Sequence, residues 1–253
     1  MTSGDLLLRP LRDIPPIATG DDLADIALAG LGRSDDRLRD GDVLVFAQKI
    51  VSKSEGRAVD LDSVVPSADA LRLASETEKD PRLVELILRE SSEVLRCRPG
   101  VLIVVHKLGF VLANAGIDRS NVEGSDRVLL LPVDPDGSAA GIRAKLKMKA
   151  GLDAAVLIID SFGRPWRLGT AGTAIGASGM PALLDMRGHP DMHGRPLEST
   201  EVAVADELAA AASLVMGQAN ERTPIVLARG VPYARRNGLA RDLLRPKELD
   251  LFR

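Results

Sequence analysis

Two stretches of sequence decide the fold: Asn114–Asn121, which reads NAGIDRSN, and Ile159–Arg167, which reads IDSFGRPWR. Each follows an apolar run that predicts a buried strand, and each places an aspartate, Asp118 or Asp160, where we expect the chain to turn. An acid at the end of a buried strand is a rigid ligand that faces an open loop. The pair indicates a metal–phosphate site, and turn or helix capping is the alternative for each acid.

Further oxygen donors accompany the two acids. Asn121 follows Asp118, and Ser161 follows Asp160. Hard oxygen ligands without a cluster of cysteines or histidines favour Mg²⁺ or Mn²⁺ over zinc. Arg164 suits bidentate recognition of phosphate or carboxylate, with a structural salt bridge as the alternative. Trp166 could stack on a ligand ring or anchor the core.

The remaining apolar periodicity predicts alternating strands and helices. We expect helices after Thr19, in two pieces over Ser67–Arg96, over Ser138–Ala150 and over Glu201–Met216 with a cap near Ser199-Thr200, and strands at Val43–Ala47, Val101–Val105, Val128–Val133, Ala154–Ile159 and Ile225–Gly230. This alternation is typical of α/β or α+β folds, here with a mixed sheet. Lys49 and Lys53 follow the first of these strands and could bind phosphate as point charges, or merely solvate an edge.

Composition excludes several functional classes. The 253 residues are 45% apolar but only 2% aromatic, and the formal net charge is −3. Nucleic-acid and anionic-membrane partners are therefore not expected, because the chain has neither a basic footprint nor aromatic stacking surfaces. With no signal-peptide pattern and no apolar run of spanning length, we expect a cytoplasmic protein.

The motifs, in order, resemble a known family. NAGIDRSN at Asn114–Asn121, DSFGRPWR at Asp160–Arg167 and Met216-Gly217-Gln218 are similar to the coenzyme F(420):L-glutamate ligases, GTP-dependent γ-glutamyl ligases of deazaflavin biosynthesis. The resemblance extends from the Leu11–Pro16 turn through Arg229-Gly230. It implies an α+β fold, with a mixed-sheet two-domain subunit that forms an intertwined homodimer. We expect one ligase domain over residues 1–253. Some bacterial relatives carry a fused nitroreductase-like flavin domain, for which these residues have no room, so the chain is either a standalone ligase or the N-terminal half of a fusion.

The resemblance further implies a reaction and its partners. GTP phosphorylates the terminal carboxylate of F(420)-0, and the amine of L-glutamate then attacks the acyl phosphate to form an amide. Further rounds add γ-linked glutamates. The small-molecule substrates are therefore GTP, F(420)-0 and L-glutamate.

Site residues follow from the same resemblance. Asp118 and Asp160 match the ligands of one divalent ion, Mg²⁺ or Mn²⁺, and Ser161 and Gln218 match those of a second, with K⁺ as a further candidate. Lys53 and Arg164 join the two acids as catalytic candidates that neutralise charge. The expected nucleotide contacts are Arg12, Asp13, Ile14, Pro15, Gln48, Lys49, Lys53, Asn121, Met216, Gly217, Gln218, Ala219, Asn220 and Glu221.

Two other function classes stay open. One is a nucleotide-binding module that has lost turnover, although such a module need not keep residues for both metal positions. The other is a metal-dependent nucleotide phosphohydrolase that uses no amino-acid acceptor.

Overall fold

The computed structural model describes residues 4–120, 124 and 126–251. Asn121, one of the expected nucleotide contacts, lies outside these residues. The strands are β1 (Leu7–Pro10), β2 (Val43–Ala47), β3 (Ala58–Asp60), β4 (Ser91–Arg98), β5 (Val101–His106), β6 (Val111–Ala113), β7 (Arg127–Leu129), β8 (Ala155–Arg164), β9 (Arg167–Ser178), β10 (Leu184–Asp185), β11 (Glu201–Val202) and β12 (Ile225–Arg229). The α-helices are α1 (Leu23–Arg33), α2 (Gln48–Ser54), α3 (Ala68–Thr77), α4 (Pro81–Arg89), α5 (Pro135–Ala150) and α6 (Val204–Met216).

The largest sheet is mixed and has the strand order β1-β12-β2-β8-β9. Strand β2 pairs with β8 in parallel, and the other neighbours in this sheet are antiparallel. Smaller sheets join β3 to β7, β10 to β11, and β4 through β5 to β6. The predicted α+β class with a mixed sheet is therefore confirmed, while the two-domain subunit and the intertwined dimer stay predictions.

Helices cover both faces of the main sheet. Successive side chains of a strand point to opposite faces. Leu44 and Phe46 accordingly pack with α1 and α5, whereas Val43 and Val45 pack with α6. The sheet is thus the middle of three layers, which explains why β2 and the first half of β8 are continuously apolar.

Residues between α2 and α5 bury a smaller core of their own. Leu73 of α3, Ile87 of α4 and Val104 of β5 belong to one buried cluster. Leu61, just after β3, and Val128 of β7 belong to a neighbouring one. This part of the chain carries Asp118 toward the main sheet.

The second helix expected within Ser67–Arg96 is present but ends earlier than predicted. Helix α4 ends at Arg89, and Ser91–Arg98 forms strand β4 against β5. Its register shifts between Ser91 and Glu93 and again between Val94 and Arg96. Such bulges interrupt the alternation of inward and outward side chains by which a strand is recognised in a sequence. The exposed charged residues of β4 therefore have an irregular spacing, which resembled the exposed face of a helix.

The helix expected over Glu201–Met216 also begins later than predicted. Helix α6 starts at Val204, and Ala203 precedes it without a side-chain cap. Glu201 and Val202 instead pair with β10. Long-range pairing therefore takes the residues that local propensity would add to the helix.

Asp160 does not stand at a strand end. Strand β8 continues past it to Arg164, turns through Pro165-Trp166 and returns as β9. The glycine-rich segment after Arg167 is thus largely strand β9. Trp166 is 87% exposed, which excludes a place in the core of this chain.

The helices in residues 4–120 and 126–251 include none with both the length and the apolarity needed to cross a lipid bilayer.

Close packing of β9 explains two of its glycines. A Cβ atom at Gly172 would lie 2.3 Å from the carbonyl oxygen of Ala209 in α6. A Cβ at Gly176 would lie 2.3 Å from the carbonyl oxygen of Pro135 in α5. The two glycines approach opposite faces because a register shift separates them. Glycine here allows backbone contact on both sides of the sheet.

Gly172→Ala should destabilise the protein by about 1 to 3 kcal/mol, because α6 would have to move away from β9. Gly141→Ala is the matched control, since that position in α5 has open space and alanine favours a helix. Urea unfolding measures both. Equal free energies of unfolding for wild type and Gly172→Ala would contradict the close approach.

Candidate functional site

The two acids line one cavity of about 870 Å³. Asp160 reaches it from β8, opposite Thr173 of β9. Asp118 reaches it from the segment after the 3₁₀ turn Asn114–Gly116, where its backbone pairs with Leu129. The charge of Asp118 acts on Asp160, so the two carboxylates are electrostatic neighbours. The fold thus brings the two acidic motifs to the same cavity, which the sequence pattern alone could not establish.

Helix α2 supplies a cation to Asp118. Lys49 Nζ lies 2.7 Å from Asp118 Oδ2 and donates to Ser120 Oγ at 2.6 Å. The backbone N–H of Ser120 donates to Asp118 Oδ1 at 2.6 Å. Burial opposes ionisation of Asp118, but the hydrogen bonds from Lys49 and Ser120 and the lysine charge together hold the pKa of Asp118 below its ordinary value. Asp118 is therefore a carboxylate at neutral pH.

Asp160 has the opposite electrostatic environment. Burial, together with the neighbouring Asp118 charge, raises the pKa of Asp160 to about 6. The backbone N–H of Ser161 and the charge of Lys49 oppose that rise only in part. Two acids with pKa values displaced in opposite directions are common at functional sites, although structural networks also displace them.

Ser161 and Gln218 form the second predicted pair. The Ser161 hydroxyl donates to Gln218 Oε1 at 2.8 Å. Gln218 stands in the loop after α6, which leaves the helix at Gly217 with φ of +79°. Glu221 folds back over this loop and accepts from the backbone N–H of Ala219 at 2.8 Å. The loop geometry thus brings an amide oxygen to a strand hydroxyl.

Most of the predicted site residues lie together. Those that line the cavity are Ile14, Pro15, Gln48, Lys49, Lys53, Asp118, Asp160, Ser161, Met216, Gly217, Gln218, Ala219, Asn220 and Glu221. Arg12 and Asp13 are exposed outside the lining. Arg164 is also outside it, at the end of the β8–β9 hairpin, with Nη2 3.5 Å from the carbonyl oxygen of Leu168.

Sequence reasoning missed five polar residues of the lining: Ser120, Thr170, Ser213, Arg222 and Thr223. Thr170 pairs with Gly163 across the hairpin, so only knowledge of the strand register could have found it. Ser213 lies one helical turn before Gly217, and helical spacing from the Met216-Gly217-Gln218 motif could have predicted it.

The donor set suits a hard divalent cation. Two carboxylates, a hydroxyl and an amide oxygen are the ligands that Mg²⁺ and Mn²⁺ accept in proteins. The described residues contain no group of three His, Cys, Asp or Glu side chains that could hold a metal by themselves. Substrate phosphates and waters would therefore have to complete the coordination, as is usual for Mg²⁺.

Comparison with known proteins identifies the family of this chain. A family model described as F(420)-0:gamma-glutamyl ligase matches residues 12–230. The chain belongs to this family. The matched range of the F(420)-0:gamma-glutamyl ligase family includes every residue that lines the cavity.

Individual relatives are similar over nearly their whole length. The coenzyme F(420):L-glutamate ligase of Methanothermobacter thermautotrophicus is 48% identical over 245 residues, 96% of this chain and 97% of the relative. That of Methanopyrus kandleri is 46% identical over 252 residues, 98% of each chain. That of Archaeoglobus fulgidus is 41% identical over 244 residues, 96% of this chain and 95% of the relative.

Asp160→Asn should stabilise the metal-free protein at neutral pH. Folding raises the pKa of Asp160 from 3.8 to about 6, so its ionisation costs stability as the pH rises through this window. The variant should gain on the order of 1 to 3 kcal/mol above about pH 6, and the gain should vanish below about pH 4. Urea unfolding with a chelator present measures this. A difference between variant and wild type that does not change with pH would contradict it.

Proposed function

We propose that the protein is a GTP-dependent ligase that joins L-glutamate to F(420)-0, and then adds further γ-linked glutamates, in coenzyme F(420) biosynthesis. One observation carries the proposal: Asp118, Asp160 and the Ser161–Gln218 pair converge on a single cavity beside Lys49. Membership of the F(420)-0:gamma-glutamyl ligase family supports the ligase reaction. The oxygen donors and the lysine favour a phosphorylated co-substrate.

The proposed reaction has two steps. A terminal carboxylate oxygen of F(420)-0 attacks the γ-phosphorus of GTP, the bond to the β,γ-bridging oxygen breaks, and GDP leaves. The amine of L-glutamate then attacks the resulting acyl phosphate, phosphate departs with the acyl C–O electron pair, and the nitrogen loses a proton. Catalysis of the first step consists mainly of positioning and of neutralising charge.

The chain's residues divide these tasks. Asp118, Asp160, Ser161 and Gln218 would hold two Mg²⁺ or Mn²⁺ ions, with K⁺ as a further candidate. Bound divalent ions would neutralise the β- and γ-phosphate oxygens. The ammonium group of Lys49 contacts Asp118, and it is positioned to bind a phosphate oxygen of the nucleotide in place of that carboxylate. Lys53, one turn along α2, lines the same cavity.

The homodimer is part of the same proposal. Trp166 and Leu168, at the exposed tip of the β8–β9 hairpin, are 87% and 99% exposed in the single chain. Arg164 beside them lies outside the cavity lining, so its catalytic role requires that a second subunit's cavity receive this hairpin. Light scattering measures the oligomeric state, and a monomer would remove Arg164 from the mechanism.

The first test is an assay of glutamylation. Incubation with GTP, Mn²⁺, F(420)-0 and L-glutamate should yield a product heavier by one glutamyl unit, detected by mass spectrometry. Asp160→Ala should lower turnover at least about 100-fold, because one charge-stabilising ligand is lost. Asp185→Ala removes an exposed carboxylate of β10 outside the cavity and should leave turnover unchanged.

Other outcomes of this assay would contradict the ligase. Release of GDP that needs neither glutamate nor F(420)-0 would show a phosphohydrolase. Nucleotide binding without any turnover would show a binding module.

A matched pair of variants tests the hydroxyl of Ser161. Ser161→Ala removes the oxygen that contacts Gln218 and should reduce turnover at least about 10-fold, by analogy with the loss of other groups around a metal. Ser161→Thr keeps the oxygen and should retain most of the activity. If both variants lose activity equally, steric fit and not the hydroxyl is what matters.

A further inference from the structure

Gln48 is a buried polar residue whose side-chain oxygen is hydrogen-bonded, whereas its side-chain nitrogen has no partner among the described residues. It is the first residue of α2, directly after β2, and it lines the cavity although only 1% of its surface is exposed. Its Nε2 atom is buried and has no hydrogen-bond partner among the described residues. A buried donor without a partner costs stability, so this atom calls for a functional explanation, and an acceptor atom of a ligand in the cavity is one.

The other end of the same side chain is held firmly. The hydroxyl of Ser52 donates to Gln48 Oε1 at 2.9 Å. Ser52 lies four residues further along α2, on the same face of the helix, and is completely buried. It does not line the cavity, so any effect on a ligand must pass through Gln48.

One hydrogen bond can decide which way this carboxamide faces. The terminal torsion of glutamine is broad and roughly two-fold, so the oxygen and nitrogen can exchange places with little steric cost. With Oε1 accepting from Ser52, the donor Nε2 is the free end of the group. With the amide reversed, the free end would be an acceptor and would repel a phosphate, ribose or carbonyl oxygen.

We propose that Ser52 is a positioning residue that orients the Gln48 carboxamide so that Nε2 donates to an acceptor atom of the bound nucleotide. This inference rests on the proposed function for the identity of the ligand. The neighbour of Gln48 in sequence is Lys49, which contacts Asp118, so Gln48 adjoins the part of the cavity assigned to the nucleotide and its metal ions.

The test is a double-mutant cycle in GTP affinity. Titration calorimetry would measure the Kd for GTP of wild type, Ser52→Ala, Gln48→Ala and the double variant, with KM and kcat from the ligase assay. Ser52→Ala should weaken GTP binding and raise KM roughly 3- to 10-fold, the value of one ordinary hydrogen bond, with kcat nearly unchanged. The double variant should bind GTP no more weakly than Gln48→Ala, because Ser52 acts only through Gln48.

Two further variants separate orientation from packing. Ser52→Thr keeps the hydroxyl and should restore GTP affinity. Ser54→Ala removes a hydroxyl from the same helix that donates only to the backbone of Val51, and should leave affinity unchanged. Thermal unfolding of each variant is measured alongside, since a purely structural role would lower the melting temperature and leave the Kd for GTP unchanged.

The outcomes distinguish this inference from the proposed function. Normal ligase turnover with a GTP affinity that Ser52→Ala does not change, or with additive effects in the cycle, would overturn the positioning role alone. Wild-type protein that neither binds GTP nor glutamylates F(420)-0 would overturn the proposed function and the ligand assigned to Gln48 together.

Discussion

The parallel pairing of β2 with β8 is the constraint on which the site depends. In its register Ala47 lies opposite Ile159, so the point where β2 gives way to α2 adjoins Asp160. On the other side of β2, the backbone N–H of Ala47 donates to the carbonyl oxygen of Pro224, just before β12. The helix with the lysines, the strand with the acid and the loop after α6 therefore meet at one edge of the sheet.

The loop after α6 reaches this edge because α6 lies unusually close to the sheet. Gly172 lets the carbonyl of Ala209 approach the backbone of β9, where any side chain would clash. Helix α6 then ends at Met216, within reach of β8, and Gln218 can accept from Ser161. A glycine in the middle of a strand thus influences a contact several residues away, through the position of a helix.

Electrostatics at the site follow from the same convergence. Asp118 is paired with Lys49 and keeps a low pKa, whereas burial raises the pKa of Asp160 and the charge of Lys49 offsets that rise only in part. Holding two acids near one lysine costs stability in the isolated chain. Divalent cations together with an anionic phosphate chain are the kind of ligand that would offset this cost.

The sequence by itself determined the family of the protein and the kinds of functional groups available at its site. The motifs around Asp118, Asp160 and Gln218 indicated the F(420)-0:gamma-glutamyl ligase family, and comparison confirmed the membership. Strands β2 and β12 were predicted correctly, because a strand buried on both faces is a short continuous run of apolar residues that can be recognised in the sequence. The types of donor atom at the site, which are carboxylate, hydroxyl and amide oxygens, were also predicted from the sequence.

Tertiary structure decided where those groups lie. It placed Asp160 inside a strand, set Arg164 on a hairpin away from the cavity, and added Thr170 and Ser213 to the lining. It also turned Ser91–Arg98 into a bulged strand. These features depend on strand register and on pairing between segments that are distant in sequence. Such contacts form only when the chain folds, so local sequence patterns do not reveal them. Local patterns indicate which residues have the chemistry to bind a cation or a phosphate, whereas long-range packing determines which of them line the same cavity.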